Sequence, residues 1–512
     1  MGELCIVILL IGFIASIVLF NLALIKNNVK VRRIVAGVAS LFVIAPVTIF
    51  FMACEREKEI EVSTVEEFLK ITDYVDDSAS DENVKIILTA DIDFTGIEYK
   101  TVDLAGHTLL DGNGHAVKNI TFITYEADEY AGVGLFEGYG LNIKNIIFEN
   151  VTINYPGKTS AVGCLLGRSC DSQNFENVTI SGKIYAPNAE NVGGFMGSSE
   201  SANKKCMSTI TVKNCVSSLE IQGKTNVGGF LGSGSISAQN SKNTGNVKGK
   251  YNVGGVVGNA IGNVNGGENY GKVEANEMVG GIVGYVEEKA IVSKAKNGGE
   301  VVGLSQAGGV VGHLGKNATI DGCVNLKEGK VTATSEDVNG NANVGGIVGV
   351  TDKGSKVYAC TNQGVVVATY SKVGGIIGYS LGGVTNCKHE GSVTGENDVG
   401  GIVGHMKNNS TVSTCSVTGT VTGEVRIGGL MGRFGSDDFT TKLKSELGIN
   451  DITIMNCSVS GEITASSYGG GLIGLIVNDT LEGAYIETNT FDGKLTVGGT
   501  VSSKLWIVEL QK

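Results

Sequence analysis

Three residues in the first quarter of the chain have the spacing of a metal site. His107, Asp111 and His115 are each separated by four positions, and on one helix this spacing would place three ligands on one face. The intervening Asp111-Gly-Asn-Gly sequence is typical of a turn and breaks a helix. We therefore expect these residues to lie in a turn, and we predict neither a metal site nor a cofactor.

Four carboxylates in the same region are candidates for acid–base chemistry. Paired carboxylates of this kind serve as acid, base or calcium ligands in enzymes that cleave polysaccharides. Turn and capping roles explain them equally well, and no Arg or Lys lies at a matching position to act as the base of a lyase. The expectation is that the protein is not an enzyme, with a polysaccharide lyase or glycoside hydrolase as the alternative. The four residues are Asp91, Asp93, Asp103 and Asp111.

Cysteines recur at one point of a sequence pattern, just before a Gly-x-Val segment. The chain has 11 cysteines and no C-x-x-C pair, which argues against a structural zinc site. Residues stacked in register would present parallel side chains with poor disulfide geometry. We predict a ladder of buried thiols that act as small apolar groups. The six cysteines are Cys215, Cys323, Cys360, Cys387, Cys415 and Cys457.

A hexapeptide repeat supplies the framework for these residues. VGGIVG, or a near copy, occurs eleven times between Val162 and Gly474, at steps of 26 to 42 residues. A fixed period with insertions is typical of a solenoid, in which each turn buries its apolar face against its neighbours. Val, Ile and Thr between the glycines favour strands. The glycines are expected to bend each turn through positive φ and close backbone approach. The predicted fold is an all-β, parallel, right-handed β-helix with turns of about 26 residues.

The residue directly after each hexapeptide varies, and in a solenoid these residues would stack into a column. Five members carry aromatic, imidazole or guanidinium groups that suit a sugar or peptide ligand. The alternative is a solvated corner without a ligand. The five candidate ligand-binding residues are Tyr285, His313, Tyr379, His405 and Arg433.

Two apolar runs precede the repeat region. Residues 4–25 and 34–53 are each long enough to cross a bilayer as a helix, and the basic loop between them favours a cytoplasmic position for that loop. The sequence predicts two transmembrane helices, the bilayer as a partner, and export of the remaining chain to the extracellular face. In a competing interpretation Cys54 is the lipidated residue of a lipoprotein signal.

The predicted organisation has five parts. Residues 1–54 form the two membrane helices, and residues 55–83 form an acidic linker with a capping helix from Thr64 to Val75, begun by a capping box of Ser63 and Glu66. Residues 84–161 form N-terminal turns, 162–474 the regular repeats, and 475–512 a C-terminal cap. The formal net charge of −12 argues against nucleic-acid binding, which needs clustered basic residues.

The repeats resemble a known family. The VGGIVG hexapeptides, preceded by ADIDFTG and LLDGNGHAVKNITF and followed by NC-x-x-x-G-x-V, look like those of GLUG-motif proteins, which are bacterial surface proteins with pectate-lyase-like right-handed β-helices. The resemblance covers about Val84 to Gly474 and implies a structural or adhesive role at the cell surface, with glycans or surface proteins as partners. The absence of an HExxH motif means that the family's peptidase role does not carry over. A scaffold that displays its insertions to a protein partner is a further alternative.

Overall fold

A computed structural model describes residues 57–76, 83–104, 108–125, 130–158, 161–334, 342–369, 372–407, 410–435, 452–476 and 484–502. Of these, residues 57–60 and 83–85 belong to one compact unit, and residues 61–76 and 86–502 belong to a second. The second unit is an all-β parallel solenoid of about 13 turns.

Two short helices, α1 (Val65–Leu69) and α2 (Ile71–Asp76), follow the first strand, Glu57–Val62, in the chain. Thr64 caps α1, and its capping box is closed by Glu67, one position later than the sequence suggested. Phe68 of α1 is fully buried, with its ring centroid 5.8 Å from that of Phe94. The helices therefore pack on the first strands, as expected of a cap.

Each regular turn is built from five short strands, and each strand pairs in parallel with its counterpart one turn later. We name the resulting stacks columns A to E. In the turn that begins at Lys372, columns A and B are Lys372–Gly374 and Ile377–Ser380, column C is Gly383–Thr385, column D is Lys388–His389 and column E is Ser392–Thr394. The split of the hexapeptide between columns A and B places its turn at the two central residues.

The strand bounds follow this scheme throughout. Before the regular turns they are Glu57–Val62, Asn83–Leu88, Ile92–Asp93, Val102–Asp103, Thr108–Asp111, Ala116–Lys118, Thr121–Ile123, Phe136–Glu137 and Asn142–Asn154. Column A contains Val162–Gly163, Val192–Gly193, Thr225–Gly228, Tyr251–Gly254, Glu277–Gly280, Ala307–Gly308, Asn343–Gly345, Lys372–Gly374 and Asn397–Gly400. Column B contains Leu166–Arg168, Met196–Ser198, Leu231–Asn243, Val257–Asn269, Val283–Val286, Val311–Leu314, Val348–Thr351, Ile377–Ser380, Val403–Met406, Met431–Phe434 and Ile473–Ile476.

The other three columns are listed by where each strand begins, since several long strands run on into the next column. Column C contains Asn174–Tyr185, Thr209–Lys213, Ile291–Ser293, Thr319–Asp321, Lys356–Tyr358, Gly383–Thr385, Ser410–Ser413, Ile452–Met455 and Ala484–Glu487. Column D contains Val216–Gln222, Lys296–Asn297, Val324–Asn325, Thr361–Asn362, Lys388–His389, Ser416–Val417, Ser458–Val459 and Thr490–Phe491. Column E contains Val247–Lys248, Val273–Glu274, Glu300–Gly303, Lys330–Ala333, Val365–Ala368, Ser392–Thr394, Thr420–Gly428, Glu462–Gly470 and Lys494–Val497, and Thr500–Ser502 pairs antiparallel with the last of these.

The hexapeptide glycines are required for close backbone approach. A Cβ on Gly374 would collide with the carbonyl oxygen of Ile377, and one on Gly375 would collide with that of Gly401. The expectation of positive φ at these glycines is wrong, because no hexapeptide glycine in the described turns has it. Positive φ falls instead on the bend between columns C and D, as at Asn177 (φ 55°) and Asn214 (φ 54°), and on the residue before several hexapeptides, as at Asn226 (φ 51°) and Asn252 (φ 53°). Asn tolerates this left-handed conformation.

A ladder of buried asparagines runs through column D. In successive turns the side chains of Asn243, Asn269, Asn297, Asn325 and Asn362 are fully buried. Each Nδ2 donates to the Oδ1 of the next residue at 2.8–3.0 Å, and Asn362 Nδ2 lies 3.2 Å from Nδ1 of His389 at the end of the ladder. Burial lowers the pKa of His389 to about 4, so its neutral Nδ1 can accept this hydrogen bond. The ladder satisfies amides that would be costly to bury alone.

The predicted fold class is wrong in its two transmembrane helices. A helix needs about 20 apolar residues to cross a bilayer, whereas α1 and α2 have five and six residues. No helix within the described residues is long and apolar enough to cross a membrane. The runs 4–25 and 34–53, and Cys54 as a lipidation site, lie outside the described residues. The fold class is therefore an all-β solenoid with two short helices.

Candidate functional site

The residues that directly follow the hexapeptides stack in one continuous row along the strands of column B. Backbone register pairs Arg168 with Ser198 and continues without a slip to the pairing of Arg433 with Leu475. This row, which we call the post-hexapeptide column, places the five candidate ligand residues in two groups, Tyr285 beside His313 and Tyr379 beside His405 and Arg433. The members of this column are Arg168, Ser198, Ser233, Asn259, Tyr285, His313, Val350, Tyr379, His405, Arg433 and Leu475.

Within the first group, the two rings pack against each other. The centroids of Tyr285 and His313 are 5.3 Å apart, edge to face. His313 Nδ1 lies 2.7 Å from Oε1 of Gln306, and His313 Nε2 lies 3.2 Å from Oδ2 of Asp352. Both residues are half-buried, and both ring nitrogens of His313 lie against side chains of the protein.

The second group is more deeply packed. Tyr379 and His405 are also 5.3 Å apart, and His405 is fully buried. Its Nε2 lies 2.8 Å from the carbonyl oxygen of Gly435, which can only accept, so this nitrogen is the protonated donor. Arg433 Nη1 lies 4.0 Å from Asp398 Oδ2. Every member of the post-hexapeptide column is buried or half-buried, and the role of the column in ligand binding stays a prediction.

A polar pocket lies at the N-terminal end of this column. It has a volume of about 350 Å³ and is lined by Ser198, Ser233 and Asn259 of the column, with the segment Glu200–Lys204 on one side. A disulfide between Cys170 and Cys206 anchors that segment. The sequence analysis did not predict this pair, although both cysteines lie outside the ladder pattern.

A larger cleft lies at the corner between columns B and C. Four residues, 315–318, connect these columns in one turn, and another four, 352–355, connect them in the next. In the turn after that only two residues, Leu381 and Gly382, make the connection. The shorter connection leaves a gap of about 950 Å³ beside Gly383. We call this gap the corner cleft.

Polar and aromatic side chains surround the corner cleft. Tyr358, which is 46% exposed, lies in its lining with Asp321 and the three lysines Lys353, Lys356 and Lys407. Thr319, Thr385 and Thr411 add hydroxyl groups. A Cβ on Gly383 would meet only the carbonyl oxygen of Thr411, at 3.8 Å, so the floor of the cleft is open above this residue.

The corner cleft adjoins the post-hexapeptide column through one lysine. Lys407 Nζ lies 5.6 Å from the ring centroid of Tyr379, and Lys372 Nζ lies 5.0 Å from the same centroid. These are cation–π distances. Lys407 therefore lies in the lining of the corner cleft and also against the ring of Tyr379.

The N-terminal carboxylates are engaged within their own turns and with neighbouring turns. Hydrogen bonds from Lys118 and from the Ala116 N–H hold the pKa of Asp91 at about 2, and His115 Nδ1 lies 3.4 Å from its Oδ1. Asp93 accepts from Asn119 Nδ2 and from Thr95, and these bonds lower the pKa of Asp93.

Asp111 ends a strand and His115 lies in the turn that follows it, as the sequence indicated. Burial raises the pKa of Asp111, but hydrogen bonds from the Asn113 N–H, Asn145 and Lys144 outweigh it and leave the pKa below its ordinary value. No group of three metal-ligating side chains occurs among the described residues, and His107 lies outside them. Asp103, the fourth carboxylate, lies in another strand, and its backbone N–H donates to Thr72 Oγ1 at 2.9 Å.

The six cysteines before the Gly-x-Val segments are buried free thiols. Cys323, Cys360, Cys387, Cys415 and Cys457 occupy successive turns, and the Sγ atoms of Cys387 and Cys457 accept from the N–H groups of Cys360 and Cys415. Burial raises the pKa of Cys215 to about 11, which suits a packing role and makes a reactive thiolate unfavourable.

Comparisons with known proteins give one distant structural match. No family model matches the chain, and no curated protein matches it. The crystal structure of a putative immunoglobulin A1 protease from Bacteroides ovatus at 1.30 Å resolution is similar over 61% of this chain and 77% of its own, with 17% identity and a TM-score of 0.33. A likeness at that score carries no argument about activity. The resemblance to GLUG-motif proteins therefore stays a prediction from the sequence.

Proposed function

We propose that this protein is an exported β-solenoid with a structural or adhesive role, and that it binds a saccharide in the corner cleft. The observation that carries the proposal is the cleft itself. Its volume of about 950 Å³ is of the size that holds a small ligand. An exposed tyrosine ring offers a face on which a sugar can stack, and threonine hydroxyls offer partners for sugar hydroxyls.

Export is supported by the disulfide between Cys170 and Cys206. Disulfides form and persist mainly in oxidising compartments, such as the periplasm, the cell surface and the extracellular space. A bacterial cell-surface location, as the sequence resemblance implies, is consistent with this bond.

The test is a glycan array probed with the full chain and with two variants. Gly383→Phe fills the floor of the cleft without a backbone clash, since its Cβ position is open. Thr453→Phe is the matched control, because Thr453 follows Gly383 and Thr411 in the same outward row of column C but lies outside the cleft lining. We expect binding by the wild type and by the control, and its loss in Gly383→Phe.

Binding that survives in Gly383→Phe would refute the cleft as the saccharide site. Release of new reducing ends from a bound glycan would instead favour the alternative of a carbohydrate-active enzyme.

A further inference from the structure

The lining of the corner cleft is positively charged in an acidic protein. The lining contains three lysines, Lys353, Lys356 and Lys407, and one carboxylate, Asp321. The whole chain, in contrast, has a formal net charge of −12. A net negative charge disfavours the approach of an anion to the chain as a whole. At the cleft, lysine charges outnumber the carboxylate charge by two, from three positive and one negative group.

Two of these lysines differ from the lysines on other faces of the solenoid. On columns D and E lysines pair across successive turns, as in Lys248 with Glu274 at 2.6 Å and Lys296 with Glu268 at 3.0 Å. Lys330 pairs with Glu300 in the same way, at 3.3 Å.

Within the described part of the chain neither Lys353 nor Lys356 forms an ion pair. The nearest acidic neighbour in sequence, Asp352, is placed against His313 Nε2 at 3.2 Å. The two ammonium groups therefore keep their charge available for an anion from outside the chain.

Lysine charge, an aromatic face and hydroxyls occur together on two adjacent rows. Register aligns Asp321, Tyr358 and Thr385 in one row of column C, and Thr319, Lys356 and Gly383 in the other. Residues two apart in a strand are directed to the same face, so Lys356 and Tyr358 share one side of their strand. Successive turns are about 4.8 Å apart. A ligand that uses both must combine a ring with a negative charge.

Resting on the proposed saccharide-binding function, we infer that the corner cleft recognises a carboxylated saccharide, with Lys353 and Lys356 binding the carboxylate and Tyr358 stacking on a sugar ring. Carboxylate and ammonium form charge-assisted hydrogen bonds, and the open floor at Gly383 leaves room for the pyranose rings. A neutral sugar would use the ring and the hydroxyls but would leave both lysines without partners.

The experiment is isothermal titration calorimetry on the full chain with three probes. A hyaluronan tetrasaccharide carries carboxylates, its methyl ester keeps the rings without the charge, and a heparin tetrasaccharide adds sulfate. The charge variant is Lys353→Gln with Lys356→Gln. The control variant, Lys224→Gln with Lys250→Gln, makes the same change in net charge at exposed residues outside the cleft. Circular dichroism checks that all variants keep the wild-type fold.

We expect the carboxylated probe to bind more tightly than its ester, and to bind about tenfold more weakly in the charge variant, as two exposed ion pairs allow. The control variant should retain wild-type affinity, and Gly383→Phe should lose binding. Raising the salt concentration should weaken binding of the carboxylated probe but not binding of its methyl ester.

Three results would overturn the inference, and they differ in what they leave standing. Equal affinity for acid and ester, insensitive to the charge variant but abolished by Gly383→Phe, would refute charge recognition and keep the saccharide site. Lysine-dependent binding of the heparin probe alone would assign the cleft to sulfate. Absence of binding by every probe and by every glycan on the array would refute the proposed function as well.

Discussion

Substitution of one asparagine in the middle of the buried ladder should destabilise the solenoid far more than its size suggests. Asn297 is fully buried, and its Nδ2 donates to Asn325 Oδ1 at 3.0 Å and to Gly299 O at 3.1 Å. Its Oδ1 accepts from Asn269 Nδ2 at 2.9 Å and from the Gly299 N–H at 3.2 Å. Asn297→Ala removes all four bonds. It leaves at least two buried polar groups without a partner, at roughly 1–3 kcal/mol each. The expected loss in the free energy of unfolding is therefore about 2–6 kcal/mol.

The assay is urea unfolding followed by circular dichroism, with Lys296→Ala as the control. Lys296 precedes Asn297 in the same strand and has a half-exposed side chain in a single ion pair with Glu268. Its loss should cost less than about 1 kcal/mol. An Asn297→Ala protein as stable as this control would refute the ladder as a source of stability.

Three further predictions test other parts of the structure. Cys206→Ser should lower the free energy of unfolding by about 2–4 kcal/mol, and mass spectrometry of alkylated, unreduced protein should find Cys170 newly reactive; an unreactive Cys170 would contradict the disulfide. His405→Ala should cost about 1–3 kcal/mol through its buried hydrogen bond and leave saccharide affinity unchanged; weaker binding at unchanged stability would restore a ligand role. Asp91 has a folded pKa of about 2, so its contribution is complete above about pH 4 and is lost as the pH falls through 2. Asp91→Asn should remove this part of the acid dependence in pH-titrated unfolding, and an unchanged profile would exclude it.

The solenoid was predictable because its signal is local and repeated. A hexapeptide that recurs at intervals of at least 26 residues indicates strand, turn and period together. Its eleven copies imply that equivalent residues stack. The register of the post-hexapeptide column, from Arg168 to Leu475, follows from this. The role of the glycines was only half predictable, since close approach and positive φ both favour glycine in a sequence. The backbone assigns close approach to Gly374 and Gly375 and leaves positive φ to asparagines such as Asn177.

The candidate site was less accessible to sequence reasoning. The aromatic and imidazole residues of the column are conspicuous by type, yet His405 is fully buried and Tyr285 half-buried, because each ring packs against a ring of the adjacent turn. The signal for the corner cleft is present in the chain as a two-residue connection, Leu381–Gly382, where neighbouring turns have longer ones. A connection shortened by two residues carries no functional group, so residue types alone do not indicate a cleft there.

The sequence by itself determined the repeat, the parallel stacking and the identity of the residues that share a column, because a period of strands and glycines permits few other backbones. The tertiary structure alone decided which side of each column faces solvent, which lysines find a carboxylate and which do not, and where a shortened turn opens a cleft. These properties depend on distances between turns that are adjacent in space but 26 or more residues apart in the chain, and a side chain's partner across that gap is set by packing.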